Sequence, residues 1–252
     1  MGISNFSKTK VFSLIAGQSV GTPLAQLFIG FANSGSEVLP YATRPTIDFS
    51  YNSTTKVLSN QATTLGIATQ SVASVDAVRI YDAASGGNIL FEFTNDASGD
   101  PISFSFNTTD ERKYSADALV IELKLVSGAK IADEVLDQFA NYIIGNTITS
   151  VSSGNLVLGL FDGATEVTAN FTALDRQPIT LNTATGLNSN EANFGDATTQ
   201  TNVTSARLYD DTTGNILVTD AVLTPTTITA FSGDGVVVRI GNLSIDLEES
   251  NL

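Results

Sequence analysis

The sequence predicts a mainly β protein made of two tandem homologous domains, each a β-sandwich or jelly-roll-like unit opened by a short α-helix. One observation is that short apolar runs alternate with Gly, Asn and Asp turn signals. A second is that polarity is carried by Thr, Ser and Asn, since charged residues make up only 15% of the chain. The third is an internal repeat, for which the 252 residues leave room.

The internal repeat consists of matching segments that recur in the same order about 128 residues apart. The clearest pair is 78–82 and 206–210, which both end in Tyr-Asp. The other pairs are 27–31 with 156–160, Glu37-Val38 with Glu166-Val167, Arg44-Pro45 with Arg176-Gln177-Pro178, 87–90 with 214–217, and 119–123 with 243–247. We therefore interpret residues 1–126 as the first repeat, 131–252 as the second, and 127–130 as a linker.

Each repeat is expected to open with a helix. Apolar residues in 131–144 recur with the 3.6-residue period of a helix that buries one face. Asp133 favours the N-terminal end, and Gly145 suits the C-terminal cap. The first repeat has a weaker version of the same pattern over 6–16.

Several short strands follow the helix in each repeat. A continuous apolar run covers 156–161 and ends at the turn signal Asp162-Gly163, and 103–106 alternates with period two. The remaining predicted strands are 236–240 after the hairpin-like signal Asp234-Gly235, and 206–209 with 216–218 around a polar turn.

Composition excludes several classes of function. The chain has no Cys, His or Trp, so it cannot contain a Ser-His-Asp or Cys-His site, a disulfide or a zinc ribbon. The formal charge of −14 argues against binding to nucleic acid and against electrostatic binding to a membrane. We expect no cofactor and no metal, and we interpret the acidic loops 96–100 and 210–211 as turns because they lack EF-hand spacing.

Enzymatic activity is not expected from this composition. A carboxylate-pair hydrolase is the alternative, but no Asp/Glu pair stands out in the sequence. Lys8 and Lys10 precede an apolar stretch that resembles a signal peptide. That stretch aligns with the internal segment before Gly145, which cannot be a signal, so we expect synthesis in the cytoplasm.

Candidate site residues are those that recur in both repeats. We expect Arg79, Arg207, Asp82 and Asp210 to orient the turn at the end of their strand. We expect Arg44 and Arg176 to bridge to a carboxylate, either inside each domain or across a subunit interface. The full set of interface or turn-organising candidates is Arg44, Arg176, Arg79, Arg207, Asp82, Asp210, Asn88 and Asn215.

Charge is distributed unevenly along the chain. Residues 151–252 contain 3 basic and 12 acidic residues, and no Lys follows Lys130. The two repeats are therefore expected to meet different neighbours, with a basic partner surface facing the second.

Taken in order, these motifs resemble those of a family of tailed-bacteriophage structural proteins. The motifs are Leu158-Gly159-Leu160-Phe161, Glu166-Val167, Arg176-Gln177-Pro178, Leu208-Tyr209-Asp210 and Gly214-Asn215-Ile216-Leu217, with their counterparts in the first repeat. The first repeat departs from the pattern at Phe31-Ala32-Asn33 and at Arg44-Pro45, which lacks the Gln.

The resemblance implies a non-enzymatic virion component, either a capsid decoration or cement protein or a neck or tail accessory protein. It implies other virion proteins as partners, namely the major capsid, portal, neck or tail proteins, together with assembly as a homo-oligomer. The alternative from another class is an adhesin module that binds carbohydrate or a cell surface, although the absence of Trp makes that less favourable.

Overall fold

A computed structural model describes residues 2–96, 98–123, 130–245 and 247. Strands dominate, and two helices lie among these residues, so the predicted mainly β class is confirmed. The sandwich arrangement and the division into two domains stay predictions. Of the predicted linker, residues 127–129 lie outside the described residues, whereas Lys130 belongs to a strand.

Residues 2–123 are called the first half of the chain and residues 130–247 the second half. The first half contains β1 (Gly2–Ile3), α1 (Asn5–Ile15), β2 (Leu27–Asn33), β3 (Ser36–Val38), β4 (Thr46–Ile47), β5 (Phe49–Asn52), β6 (Val57–Asn60), β7 (Thr63–Ile67), β8 (Val72–Val75), β9 (Ala77–Tyr81), β10 (Ile89–Phe93), β11 (Phe104–Phe106), β12 (Glu111–Tyr114) and β13 (Val120–Glu122). The second half contains β14 (Lys130–Ile131), α2 (Asp133–Ile143), β15 (Leu156–Asp162), β16 (Thr165–Glu166), a 3₁₀ turn (Thr168–Asn170), β17 (Gln177–Ile179), β18 (Leu181–Asn182), β19 (Leu187–Asn188), β20 (Ala192–Asp196), β21 (Thr201–Val203), β22 (Ser205–Asp210), β23 (Ile216–Leu223), β24 (Ile228–Ala230), β25 (Gly235–Val238) and β26 (Leu243–Ser244).

The two halves repeat the same element order and the same strand pairings. Strand β2 pairs with β9, β3 and β4, and its counterpart β15 pairs with β22, β16 and β17. Adding thirteen to the strand numbers of any first-half pair gives a pair that is also formed in the second half, within the described part of the chain. All of these pairs are antiparallel. The second half adds one pairing, between β23 and β26. The sequence repeat is therefore also a repeat of topology.

The helices form where the apolar period predicted them. Helix α2 buries one face through Val135, Leu136 and Phe139, and it is followed by Gly145 at φ 78°. Helix α1 is capped by Ser4, whose hydroxyl accepts a hydrogen bond from the backbone amide of Ser7 at 3.2 Å. The predicted start of α2 at residue 131 is wrong, since β14 pairs with β23 before the helix begins.

A single hydrophobic cluster runs through both halves. Phe91 on β10 and Phe139 on α2 belong to it, and their ring centroids lie 6.3 Å apart. Leu24 donates its backbone N–H to the carbonyl of Tyr142 at 2.9 Å. The halves therefore share buried apolar surface, which is the main source of stability in a folded chain.

The packing between the halves is reciprocal. Helix α1 lies against the β18–β19 hairpin, where a Cβ added to Gly186 would be 2.6 Å from the Phe12 ring. Helix α2 lies against the equivalent β5–β6 hairpin, where Lys56 and Tyr51 bind Asp137. Each helix thus contacts the hairpin of the other half.

The hairpin predicted at Asp234-Gly235 does not form, so that prediction is wrong. The signal Asp234-Gly235 precedes β25 as predicted, but β25 pairs with β20 while β24 pairs with β21. The turn therefore carries the chain from one two-stranded ladder to another. In the described part of the chain, no helix is long and apolar enough to cross a bilayer.

Candidate functional site

A Glu–Arg–Tyr cluster (Glu37, Arg44 and Tyr81) lies on the central sheet of the first half. Glu37 on β3 accepts two hydrogen bonds from Arg44, from Nε at 2.6 Å and Nη2 at 2.8 Å. The guanidinium carbon lies 3.5 Å from the centroid of the Tyr81 ring. Arg44 is therefore fixed by a bidentate ion pair and by stacking together, the two interactions for which Arg is better suited than Lys.

The second half holds the equivalent cluster of Glu166, Arg176 and Tyr209. Glu166 accepts from Nε and Nη2 of Arg176, both at 2.9 Å, and the guanidinium lies 3.5 Å from the Tyr209 centroid. The hydrogen bonds from Arg176 hold the pKa of Glu166 below its usual value, against the opposing effect of burial. The Arg176 side chain is 34% exposed and that of Arg44 only 5%, so the Arg of the second cluster is the more accessible of the two.

Each cluster covers a glycine in the central strand. A Cβ added to Gly30 would lie 2.7 Å from Cε2 of Tyr81, because the Tyr ring lies across the strand at that position. A Cβ added to Gly159 would lie 2.8 Å from Oε1 of Glu166 and 3.4 Å from the Tyr209 ring. The repeated Gly, Glu, Arg and Tyr of the sequence motifs are therefore one packed unit.

Asp82 and Asp210 each organise the turn that follows their strand. Asp82 accepts hydrogen bonds from the backbone amide of Asn88 at 2.6 Å and from its side-chain amide at 2.7 Å. Asp210 accepts from the backbone amides of Thr212 and Thr213, both at 2.9 Å.

The two turns differ in the role of their Asn side chain and in how deeply their Asp is buried. Asn215 contributes its backbone carbonyl, which accepts from the amide of Asp210 at 2.9 Å, whereas Asn88 also uses its side chain. Asp210 is fully buried and also accepts a short hydrogen bond from the amide of Ser153. Burial disfavours its ionised form, but these hydrogen bonds outweigh burial and lower the pKa to about 2.

Arg79 does not orient the turn of its own strand. Its Nε donates to Glu92 across the β9–β10 pair, and its Nη2 donates to the carbonyl of Gly35, in the β2–β3 turn, at 3.0 Å. The turn after β9 is held by Asp82 and also by Arg44, which donates to the carbonyls of Ala83 at 2.9 Å and Gly86 at 2.5 Å.

Arg207 lacks the carboxylate that Arg79 has. Strand register places Glu92 opposite Arg79, and the residue at the Glu92 position of the second half is Thr219. Arg207 stacks on Phe161 at 4.0 Å, and its buried Nε has no hydrogen-bond partner among the described residues. The repeated Arg therefore serves different contacts in the two halves.

Two buried amides were missed by sequence reasoning. Asn60 accepts from the amide of Leu119 at 2.7 Å and donates to the carbonyls of Gln61 and Ser115. Asn188 makes the same pattern with Leu243, Asn190 and Arg239. The signal available was the repeated Ser-Asn at 59–60 and 189–190, although Asn188 rather than Asn190 takes the role.

A cleft lined by Arg112, which forms no ion pair with any described residue, was also missed. It has a volume of about 550 Å³, and Arg112 on β12 lies over the ring of Phe104 at 3.7 Å. Sequence reasoning passed over Arg112 because it is not repeated in the second half.

Comparison with known proteins gives no assignment for this arrangement. No family model matches the chain, and no curated protein matches it.

Proposed function

We propose that this chain is a non-enzymatic structural protein of a tailed-phage virion, either a capsid decoration or cement protein or a neck or tail accessory protein. The observation that carries the proposal is the repeated scaffold, in which two equivalent Glu–Arg–Tyr clusters are held on halves that share one hydrophobic cluster. Two such surfaces on one body provide two attachment points, and the first contact raises the effective concentration at the second. Homo-oligomeric assembly follows from the symmetry of particles.

The charge distribution supports the proposal that the two halves bind different surfaces. The second half carries most of the net negative charge, and its cluster is the more exposed of the two. We therefore propose that the second half meets a basic surface on the major capsid, portal, neck or tail proteins. Complementary charge mainly increases the rate and specificity of such association.

Mass spectrometry of purified virions tests the proposal directly. We expect the protein in defined stoichiometry with the major capsid protein, and cryo-electron microscopy then gives its position on the particle. Absence from particles that have been purified to homogeneity overturns the proposal. A specific hit on a glycan array, combined with that absence, favours the adhesin alternative instead.

Charge reversal tests the proposed role of the second half. Asp162→Lys with Glu191→Lys changes two exposed carboxylates there, and Asp48→Lys with Asp100→Lys makes the same net change in the first half. We expect the second-half pair to reduce recovery on particles, with little effect from the first-half pair. Equal effects of the two pairs contradict the assignment of the second half.

A further inference from the structure

The cleft around Arg112 lies between the 98–104 segment and β12 of the first half. Arg112 and Tyr114 are two residues apart on β12 and so project from the same face. Arg112 lies 3.7 Å from the Phe104 ring and 5.7 Å from that of Tyr114. The cation is thus held by two aromatic rings at the wall of a cavity of about 550 Å³.

Arg112 forms no ion pair with any described residue, unlike Arg44, Arg79 and Arg176. The neighbouring carboxylates have other partners. Glu111 pairs with Lys113 at 2.9 Å, Asp110 accepts from the amide of Asn107 at 2.7 Å, and Asp96 on the cleft wall accepts from the amide of Ser98 at 2.8 Å.

Two buried hydroxyls lie beside this cation. Tyr114 lines the cleft, and Tyr41 lies near Arg112 and packs against the ring of Phe106 at 5.7 Å. Neither hydroxyl makes a hydrogen bond of ordinary geometry with a described residue, although both lie close to Arg112. Burying an unpartnered hydroxyl costs free energy, so the position needs an explanation beyond packing.

Comparison of the halves shows that the fold does not require these polar groups. Register on the β12–β7 and β25–β20 pairs aligns Arg112 with Val236 and Tyr114 with Val238. The amide of Thr69 donates to the carbonyl of Pro40, and the amide of Thr198 donates to the carbonyl of Asn170 in the same way. The residues that follow these carbonyls, Tyr41 and Phe171, are therefore equivalent. In each case the second half has hydrocarbon where the first half has a polar group.

We propose that this cleft binds a saccharide that carries a carboxylate, with Arg112 as the group that binds the acid. The planar guanidinium offers paired N–H donors that match a carboxylate. Ser98, Ser103 and Ser115 also line the cleft, and hydroxyls both donate and accept as sugar hydroxyls require. The volume lies in the range of small-ligand sites, which favours a few sugar rings over an extended protein surface.

The test is a nitrogen-15 NMR titration of the full chain with a galacturonate trisaccharide, with the neutral galactose trisaccharide as the matched ligand. We expect shifts confined to residues 98–104 and 112–115, and at least about tenfold weaker binding of the neutral sugar. Arg112→Ala should weaken binding of the acidic sugar by a similar factor. Arg112→Lys should bind with intermediate affinity, because Lys supplies the positive charge but not the paired N–H donors of the guanidinium. Arg239→Ala removes an exposed charge in the second half and should leave binding unchanged.

Three results overturn the inference. One is no shift in the cleft at a large excess of the acidic sugar, provided the spectrum shows a folded protein. Another is equal binding of the neutral sugar or of the Arg112→Ala protein. The third is tighter binding of a glutamate-rich peptide at the same residues, which would assign the cleft to a protein partner. The inference does not rest on the particle proposal, because saccharide binding and presence on virions are measured separately.

Discussion

Tyr51 donates a hydrogen bond of 2.6 Å to Oδ1 of Asp137, which joins a strand of the first half to helix α2 of the second. The same carboxylate oxygen accepts from Nζ of Lys56 at 2.7 Å. Burial and the neighbouring carboxylate both raise the pKa of Tyr51, so its hydroxyl stays a donor. One carboxylate therefore satisfies two polar side chains at the contact between the halves.

Asp137→Ala should destabilise the protein by about 1–3 kcal/mol, since it leaves the buried Lys56 ammonium without its main partner while Asp137 itself is partly exposed. Urea unfolding measures the loss. The control is Asp133→Ala, because Asp133 is 77% exposed and 3.7 Å from the same ammonium. We expect a change of no more than about 0.5 kcal/mol there, and equal losses would contradict the assigned role.

Asp210 should make stability depend on acidic pH. Its pKa is about 2 in the folded chain against an ordinary 3.8, so its contribution is present above pH 3.8 and is lost as pH falls towards 2. Asp210→Asn should remove about 2 kcal/mol at neutral pH and flatten this part of the profile. Unfolding measured across that range checks it, with the exposed neighbour variant Asp211→Asn expected to keep the wild-type profile.

Gly30→Ala should cost more stability than Gly159→Ala. The new Cβ at position 30 meets the Tyr81 ring at 2.7 Å, and that ring is held by the stacked Arg44. We expect a loss of about 1–3 kcal/mol. At position 159 the nearest atom is the end of the Glu166 side chain, which can move. Thermal and urea unfolding of the two variants, run together, would refute the argument if their order were reversed.

Asn60→Ala and Asn188→Ala should each destabilise the fold by about 2–4 kcal/mol, because each removes three hydrogen bonds from a buried position. Asn52→Ala provides the comparison, since the exposed Asn52 side chain accepts, among the described residues, from the amides of Thr54 and Thr55 in a turn. Its loss should be clearly smaller in the same urea experiment. Similar losses at all three positions would argue against the role of the buried amides.

The sequence was informative where one local pattern determines structure. The helical period over 131–144 and the apolar run at 156–161 became α2 and β15 within a few residues. Strand pairing was less predictable, because Asp234-Gly235 marks a turn but does not specify with which strand the next one pairs. The repeat identified Arg44 and Arg176, yet their partners Glu37 and Glu166 depended on tertiary packing. Repeated residues could not point to Arg112, because the second half has Val236 at the equivalent position.

The exchange of helices between the halves has a consequence for the origin of the chain. A single unit could make the same contacts with a second copy of itself, since helix on hairpin and hairpin on helix form a self-complementary, isologous pair. Two such copies joined end to end would have the strand topology of the present chain. In a true homodimer any new cleft appears twice, whereas in this chain Arg112 and Val236 occupy the same position independently. A chain that carries both halves can therefore hold Arg112 in one half while the other half has hydrocarbon at the equivalent position.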